Sequence, residues 1–292
     1  MLNNKFFYEI LVNRKFLSKK NPILWINNPQ FYFKQSDIIN SKKFSSKKQT
    51  IFISGCSSTF ADYFKEIHYK IFKVAQEAVL NLKKEHFNKA SLKELIKSGY
   101  KKGKIEEIKY STKNKNLVEI FKKECVHGKE PQLKYFFNDV FLPNTRLFVL
   151  SDKTDNWLGG ILIADIGNGN IRTDLLLRKM NAPRGVMEAM IFSIFRTLKD
   201  EGYLKWSLGD VPFTIYNSRF FSKEFLINFT GRKLQFAYNY LGLYNFKNKF
   251  NPNWNNIYVC CNSKMCFLSF LKISSISNLL KLIYIKLKIK LL

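Results

Sequence analysis

The sequence predicts an α/β (α+β) fold in which mixed sheets are flanked by helices. Short apolar runs typical of strands alternate with longer stretches in which apolar residues recur at helical spacing. The 292 residues are 46% hydrophobic, which is enough to bury the core of one large domain or of two lobes. That share excludes general disorder, and 13 glycines and 5 cysteines exclude collagen-like and disulfide-scaffold chains.

The first half of the chain carries the weaker signals. A turn at 27–29 and a Ser/Lys-rich linker over 41–48 come before the first clear strand. The predicted elements that follow are a strand over 50–53, a long helix over 60–82, a helix over 91–98 that ends at Gly99, a strand over 105–110 and a helix over 117–125.

From Arg146 onward the pattern is sharper. The predicted elements are a hairpin of strands 147–150 and 157–164, a strand 171–177 after a Gly-Asn-Gly-Asn turn, a helix from Gly185 to Gly202 and a strand 203–208. This order is that of a three-layer acyltransferase of the GNAT type. In such a fold the free amides at the helix start can hold an anion.

The formal net charge of +27 is the most extreme compositional feature. A surface this basic attracts phosphate, whether on nucleic acid or on anionic lipid. The excess positive charge is carried mainly by lysine, and the chain is also rich in Asn, Ile and Phe. AT-rich codons produce this composition even in a protein that binds no polyanionic partner. Both explanations remain open at this point.

Cysteine and histidine offer no metal or nucleophile pattern. The cysteines, none of them in paired metal-ligand spacing, are Cys56, Cys125, Cys260, Cys261 and Cys266. With the three histidines isolated, we expect reduced cysteines, no metal and no histidine-based triad. We find no secretory signal and no run of 18 apolar residues, and therefore expect an intracellular protein.

Two stretches resemble a known family. The first is Asp174-Leu-Leu-Leu-Arg178-Lys-Met-Asn181-Ala-Pro-Arg184-Gly185-Val-Met-Glu188, continued at Gly202-Tyr203 and Leu208-Gly209-Asp210-Val-Pro212. The second is Tyr238-Asn-Tyr240-Leu-Gly242-Leu-Tyr-Asn-Phe246-Lys247-Asn-Lys249-Phe250-Asn-Pro252-Asn-Trp254. Over about 146–258 the chain resembles the cytosolic C-terminal catalytic domain of the bacterial phosphatidylglycerol lysyltransferases, or multiple peptide resistance factors.

The resemblance implies tandem GNAT-like lobes: an N-terminal lobe over 1–140, a catalytic lobe over 141–264 and a basic apolar tail over 265–292. It implies transfer of an aminoacyl group, lysyl first among them, from aminoacyl-tRNA to a hydroxyl of phosphatidylglycerol at the inner membrane surface. The chain lacks the family's N-terminal membrane domain, so we expect a stand-alone cytoplasmic transferase, peripheral on the membrane. Exchange of an activated ester needs neither cofactor nor metal.

The resemblance also implies the catalytic residues Asp174, Arg178, Lys247 and Lys249. Asp174 would orient or deprotonate the acceptor or grip the aminoacyl ammonium, and the lysines would hold phosphate or an oxyanion. Family members carry Arg three residues after this Asp; here Leu177 stands there and Arg178 follows it. In a regular strand Asp174 and Arg178 share one face with Leu176.

Seven further residues are implied as substrate-binding: Asn181, Arg184, Gly185, Glu188, Asp210, Tyr240 and Trp254. Each also has a structural interpretation, as a solvated carboxylate, a helix start or a core aromatic. The tail has no acidic residue and is either a last strand or an amphipathic helix on an anionic bilayer.

Two other functions fit the same residues. An acyl-CoA-dependent N-acyltransferase would use Arg184–Gly185 for the pyrophosphate. A non-catalytic paralogue that only binds tRNA or membrane would explain Leu177 in place of Arg.

Overall fold

The computed structural model describes residues 15–16, 23–27, 50–108, 111–128, 130–131, 144–214, 229, 231–262, 274–275 and 277–291. The chain forms two compact units, each assembled from separate stretches. Unit 1 comprises residues 1–76, 210–240 and 255–292, and unit 2 comprises 77–209 and 241–254. The lobes predicted at 1–140 and 141–264 follow the chain rather than these units and stay a prediction, while the turn and linker predicted over 27–48 lie almost wholly outside the described residues.

The described chain contains both helices and strands. The strands are β1 (Lys15–Phe16), β2 (Ile23–Asn27), β3 (Thr50–Cys56), β4 (Lys70–Asn81), β5 (Lys104–Ile108), β6 (Thr145–Ser151), β7 (Trp157–Asp165), β8 (Asn170–Arg178), β9 (Lys205–Pro212) and β10 (Asn253–Cys261). The helices are α1 (Ser58–Glu66), α2 (Ala90–Tyr100), α3 (Thr112–Glu124), α4 (Val186–Asp200), α5 (Tyr240–Asn248) and α6 (Leu279–Leu291), with a 3₁₀ turn at Leu234–Phe236.

Unit 1 contains the strand order β1-β2-β3-β10. The β2–β3 pair is parallel and the β3–β10 pair antiparallel, so the sheet is mixed. Its core is formed where Phe60 and Phe64 of α1 pack with Ile51 and Ile53 of β3. The four cysteines of the described chain are free thiols, and Cys56 and Cys260 belong to this core.

Unit 2 contains the strand order β4-β9-β8-β7-β6-β5. The β8–β9 pair is parallel and the hairpins from β5 to β8 are antiparallel. Helix α4 covers one face of this sheet, because its apolar residues Met190 and Ile194 pack on Ile163 and Trp206. The predicted α/β class with mixed sheets and flanking helices is confirmed.

The long helix predicted over 60–82 is wrong. Helix α1 ends at Glu66, and the chain turns at His68, whose φ is 66°, in the left-handed region. The Tyr69 amide closes this turn by donating to the Phe64 carbonyl at 2.9 Å. No glycine or proline marks the turn, and the apolar residues at helical spacing from Ile71 onward lie in strand β4.

Helices α2 and α4 approach each other at two glycines. A Cβ added at Gly99 would stand 2.2 Å from the Gly185 carbonyl oxygen and 2.6 Å from the Ala189 Cβ. A Cβ at Gly185, which begins α4 with φ 91°, would stand 2.1 Å from the Leu95 carbonyl oxygen. The contact therefore requires both positions to lack side chains.

We expect Gly99→Ala to destabilise the protein by about 2 kcal/mol despite the better helix propensity of alanine, because the added methyl overpacks the α2–α4 contact. The free energy of unfolding in urea measures the effect. Gly160→Ala is the matched control, since a Cβ there meets its neighbours at 3.7 Å or more. Equal stability of the two variants would contradict the close approach.

Candidate active site

Asp174 is the extra residue of a β-bulge in β8. Leu162 of β7 pairs with Leu175, and the next residue, Ile163, pairs with Thr173. Asp174 therefore has no partner across the ladder. A bulge of this kind re-aims a side chain and shifts the in-and-out alternation by one residue.

Arg172 holds the Asp174 carboxylate. Its Nε donates to Oδ1 at 2.8 Å, its Nη2 lies 2.7 Å from the same oxygen, and the two side chains are 7% and 6% exposed. Both donors use the same oxygen, so within the described part of the chain Oδ2 receives no hydrogen bond. That oxygen is the one on which a substrate proton or ammonium can bind.

The predicted common face for Asp174, Leu176 and Arg178 is wrong, and the bulge is the reason. Asp174 stays beside Arg172, whereas Leu176 packs on the core beneath α4. Arg178 donates from Nη2 to the Ala182 carbonyl at 2.7 Å. The guanidinium next to the aspartate thus comes from two residues before it, not from four after it.

Burial raises the pKa of the Asp174 carboxyl, and the charge and hydrogen bonds of Arg172 oppose that rise. Desolvation favours the neutral acid, while a neighbouring cation favours the carboxylate. The balance leaves a carboxylate with a higher proton affinity than an exposed aspartate. Such a carboxylate is suited to the role of a general base.

Asp174 belongs to a row of polar side chains across β4, β9 and β8. The Ser207 hydroxyl of β9 donates to Glu77 Oε1 of β4 at 2.6 Å. Ser207 also pairs in register with Arg172 of β8, so their side chains point to the same side of the sheet. We call Glu77, Ser207, Arg172 and Asp174 the polar row.

Lys247 of α5 ends beside the β9 strand of this row. Its side chain is 2% exposed, and a Cβ at Gly209 would stand 3.5 Å from its Nζ. The Gly209 amide donates to the Ser207 hydroxyl at 3.1 Å, which links the glycine to the polar row. Unit 2 therefore buries the Lys247 ammonium beside Gly209, two residues along β9 from Ser207 of the polar row.

Lys249 pairs with Glu188. Its Nζ donates to Glu188 Oε1 at 2.7 Å and lies 5.6 Å from the centre of the Phe246 ring. The glutamate is 8% exposed and the lysine 41%. Because Glu188 occupies the first turn of α4, the helix dipole further stabilises its negative charge.

The aromatic residues around these lysines pack on an apolar core. Phe246, Phe250 and Trp254 contact the core of unit 2, and Phe250 is fully buried. His86 approaches the carbonyl oxygen of Phe250 with its Nδ1, at 3.1 Å. These contacts fix the segment that carries Lys247.

The remaining predicted aromatics have structural neighbours. Tyr240 is 3% exposed and meets the Phe213 ring edge to face at 6.1 Å, and Trp254 stacks on Tyr244 at 4.7 Å. Burial and the nearby carboxylate of Asp210 raise the pKa of Tyr238 to about 12. Their role in binding a substrate stays a prediction.

The predicted helix-start residues differ in exposure. Asn181 and Arg184 are exposed, whereas Gly185 is buried against the α2 backbone. Of the predicted residues, the described contacts bring Lys249 to Glu188. The contacts of Asp174 are with Arg172 and do not include Lys247 or Lys249.

Sequence reasoning missed Glu77, Ser207 and Arg172. Glu77 was hidden because its strand was predicted as helix. Arg172 had a visible signal, since opposite charges two residues apart in a strand lie on one face.

A groove beside α2 combines apolar and aromatic side chains with lysines. Its volume is about 670 Å³, and it is lined by Glu85, Phe87, Asn88, Lys93, Ile96, Lys97, Tyr100, Lys101 and Phe192. The lysines recur every four residues on exposed turns, and Tyr100 is 42% exposed. We call it the lysine groove.

In the ranges that the structure describes, no group of three or more His, Cys, Asp or Glu side chains is arranged to hold a metal ion. Within the same ranges no helix is long and apolar enough to cross a bilayer.

The fold is similar to that of solved synthetase domains. L-PGS from Bacillus licheniformis superposes with a TM-score of 0.67 at 16% identity, covering 89% of this chain and 82% of that one. The C-terminal domain of a putative lysylphosphatidylglycerol synthetase from Agrobacterium fabrum gives 0.67 at 17% identity, covering 89% and 84%. FemX gives 0.54 at 10% identity, covering 84% and 82%.

The sequence model "Phosphatidylglycerol lysyltransferase, C-terminal" matches residues 41–261. The chain belongs to this family, as its two motif stretches predict. Phosphatidylglycerol lysyltransferase from Bacillus subtilis is 29% identical over 93 residues, which are 31% of this chain and 11% of that protein. The Staphylococcus xylosus protein is 24% identical over 205 residues, 63% and 23% respectively, so the matched part spans under a quarter of either relative.

We expect Arg172→Gln to destabilise the protein by about 3 kcal/mol near pH 8, because it leaves a buried carboxylate without its cation. The substitution raises the already raised pKa of Asp174 further. The acid is neutral below that pKa and charged above it, so the loss of stability is smaller at pH 5 than at pH 8 and grows as the pH rises.

Urea unfolding at both pH values measures this dependence. The double variant Arg172→Gln, Asp174→Asn has no ionisable group at the pair and is expected to lose the pH-dependent part. An equal loss at both pH values for the single variant would contradict a buried charge pair.

Proposed function

We propose that this protein transfers an aminoacyl group, with lysyl as the first candidate, from aminoacyl-tRNA to a hydroxyl of phosphatidylglycerol or a related lipid at the inner membrane surface. The observation that carries the proposal is the buried Arg172–Asp174 pair, with a free Oδ2 among the described contacts, inside the segment that matches the family. The names of the relatives support the reaction class and the lipid acceptor.

The reaction is an ester exchange. The lipid hydroxyl oxygen attacks the ester carbonyl carbon, the bond to the ribose oxygen breaks, and the hydroxyl proton passes by way of Asp174 to the ribose oxygen. The donor ester is already activated, so positioning, a base and charge stabilisation account for the catalysis.

The cations of unit 2 have different parts in this proposal. Lys247 is buried beside the polar row, where a fixed ammonium stabilises an oxyanion more strongly than in water. Lys249 is partly exposed and held by Glu188, which suits binding of a lipid or nucleotide phosphate. Arg172 positions Asp174 and keeps it ionised.

The lysine groove supports an RNA donor. Three lysines on successive exposed turns, with Tyr100 and Phe192 beside them, combine phosphate attraction with aromatic surface for stacking. An acyl-CoA donor would instead place its pyrophosphate at the start of α4, at Gly185. The α2 backbone already occupies the space beside Gly185, so this position favours an acyl-CoA donor less.

We expect Asp174→Asn to lower transfer at least about 100-fold, because the amide cannot accept the hydroxyl proton. The assay uses purified protein, charged tRNA and phosphatidylglycerol vesicles, and detects the new cationic lipid by mass spectrometry. Asp200→Asn, at an exposed carboxylate in the last turn of α4, is the matched control and should stay within about twofold.

The product should disappear when the tRNA is digested with ribonuclease. Product formed from acyl-CoA alone would favour the N-acyltransferase. No product with any amino acid tried, or full activity of Asp174→Asn, would contradict the proposal.

We expect the triple variant Lys93→Glu, Lys97→Glu, Lys101→Glu to raise the KM for charged tRNA by more than about tenfold and to flatten its salt dependence. The control is a second triple variant that changes the net charge equally at exposed positions outside the groove: Lys115→Glu, Lys123→Glu, Lys153→Glu. If both triples raise the KM alike, general charge rather than the groove binds the RNA.

A further inference from the structure

Helix α6 carries apolar side chains on two opposite sides. On one side Leu282 is 4% exposed, and the helix packs against the 3₁₀ turn of unit 1. On the other side Leu280, Tyr284 and Leu287 are 40%, 67% and 42% exposed, whereas Ile289, which is 63% exposed, follows Leu282 by seven residues on the first side. Their spacing of i, i+4 and i+7 places them in one line along the helix, which we call the outer stripe.

Exposed lysines border one side of the outer stripe. At about 100° per residue, Lys281 and Lys288 lie roughly a quarter turn from its centre, and both are exposed. Residues 262–292 contain neither aspartate nor glutamate. The helix therefore shows solvent an apolar line with a cationic border and no compensating negative charge.

We propose that the outer stripe of α6 docks on the surface of an anionic lipid bilayer. Leucine side chains enter the acyl boundary, the tyrosine ring sits at headgroup depth, and the lysine ammoniums reach the lipid phosphates. Each lysine near an anionic leaflet adds attraction that a neutral bilayer does not provide. The thirteen residues of α6 are too few to span a bilayer, so the helix lies in the plane of the membrane.

A second copy of the chain is the less suitable occupant. A symmetric pair of outer stripes would bring the bordering lysines of both copies together, in a chain of net charge +27. An anionic bilayer instead neutralises them. Charge complementarity therefore selects the membrane.

This docking surface rests on the proposed function, since it gives the transferase access to a lipid acceptor. It is also testable without catalysis, because adsorption to vesicles that contain no phosphatidylglycerol does not depend on transfer.

The experiment measures co-flotation of the full chain with vesicles of phosphatidylserine and phosphatidylcholine, and with phosphatidylcholine alone. We expect Leu280→Ser, Tyr284→Ser, Leu287→Ser to weaken partitioning on the order of 100-fold. Lys281→Gln, Lys288→Gln should weaken it about tenfold or more on anionic vesicles only. The control is Leu117→Ser, Ile120→Ser, because these exposed apolar residues lie on α3 and are 43% and 56% exposed.

A tryptophan at position 284 provides an independent readout. Tyr284→Trp should keep the fold and show a blue-shifted emission on anionic vesicles. Absence of the shift, or equal partitioning of the stripe and α3 variants, would overturn the proposal. A stripe variant that alters sedimentation without altering flotation would identify a contact between copies and would overturn it as well.

Two variants separate this inference from the proposed function. Asp174→Asn should still float with vesicles, whereas the stripe variant should still aminoacylate phosphatidylglycerol dispersed in detergent. If the wild-type protein floats with vesicles but forms no aminoacylated lipid, only the proposed reaction is rejected. If it forms the aminoacylated lipid but does not float with vesicles, only the docking surface is rejected.

Discussion

The burial of charge on one face of the unit 2 sheet is the constraint on which the candidate site depends. Removing a carboxylate or a guanidinium from water costs several kcal/mol unless a partner is held in good geometry. Arg172 and Asp174 meet that condition because the bulge keeps Asp174 beside its partner while Leu176 turns toward the core beneath α4. The irregular strand is thus what allows a charged row and an apolar core to share β8.

The packing of α2 on α4 is the second constraint. Gly99 and Gly185 let the two backbones approach, and this fixes the first turn of α4, where Glu188 lies. The same contact sets α2 on the surface of unit 2, so that its lysines face the groove. One close approach of backbones thereby positions the buried carboxylate of the Glu188–Lys249 pair and an exposed basic surface.

The sequence predicts the second half of this fold well because apolar periodicity, turn residues and glycines there indicate the same element boundaries. The hairpin of β6 and β7, strand β8 and helix α4 all lie where alternation and the Gly185 and Gly202 signals predict them. The first half fails at His68, a left-handed residue without a breaker signal, and that failure hides Glu77 in a false helix. The bulge at Asp174 has no sequence signal either, since it arises from pairing with β7. The sequence therefore predicts Arg178 on the face of Asp174, whereas the structure pairs Asp174 with Arg172.

The environments of the lysines decide how the net charge should be interpreted. Codon bias explains lysines at exposed positions, where a solvated ammonium costs almost no stability. It does not explain Lys247, which is 2% exposed, because burying an ammonium is expensive wherever the codon comes from. Nor does it explain why residues 262–292 lack acidic groups beside an exposed apolar line. The excess charge therefore has two components, a solvated background and a few cations whose placement has a physical reason.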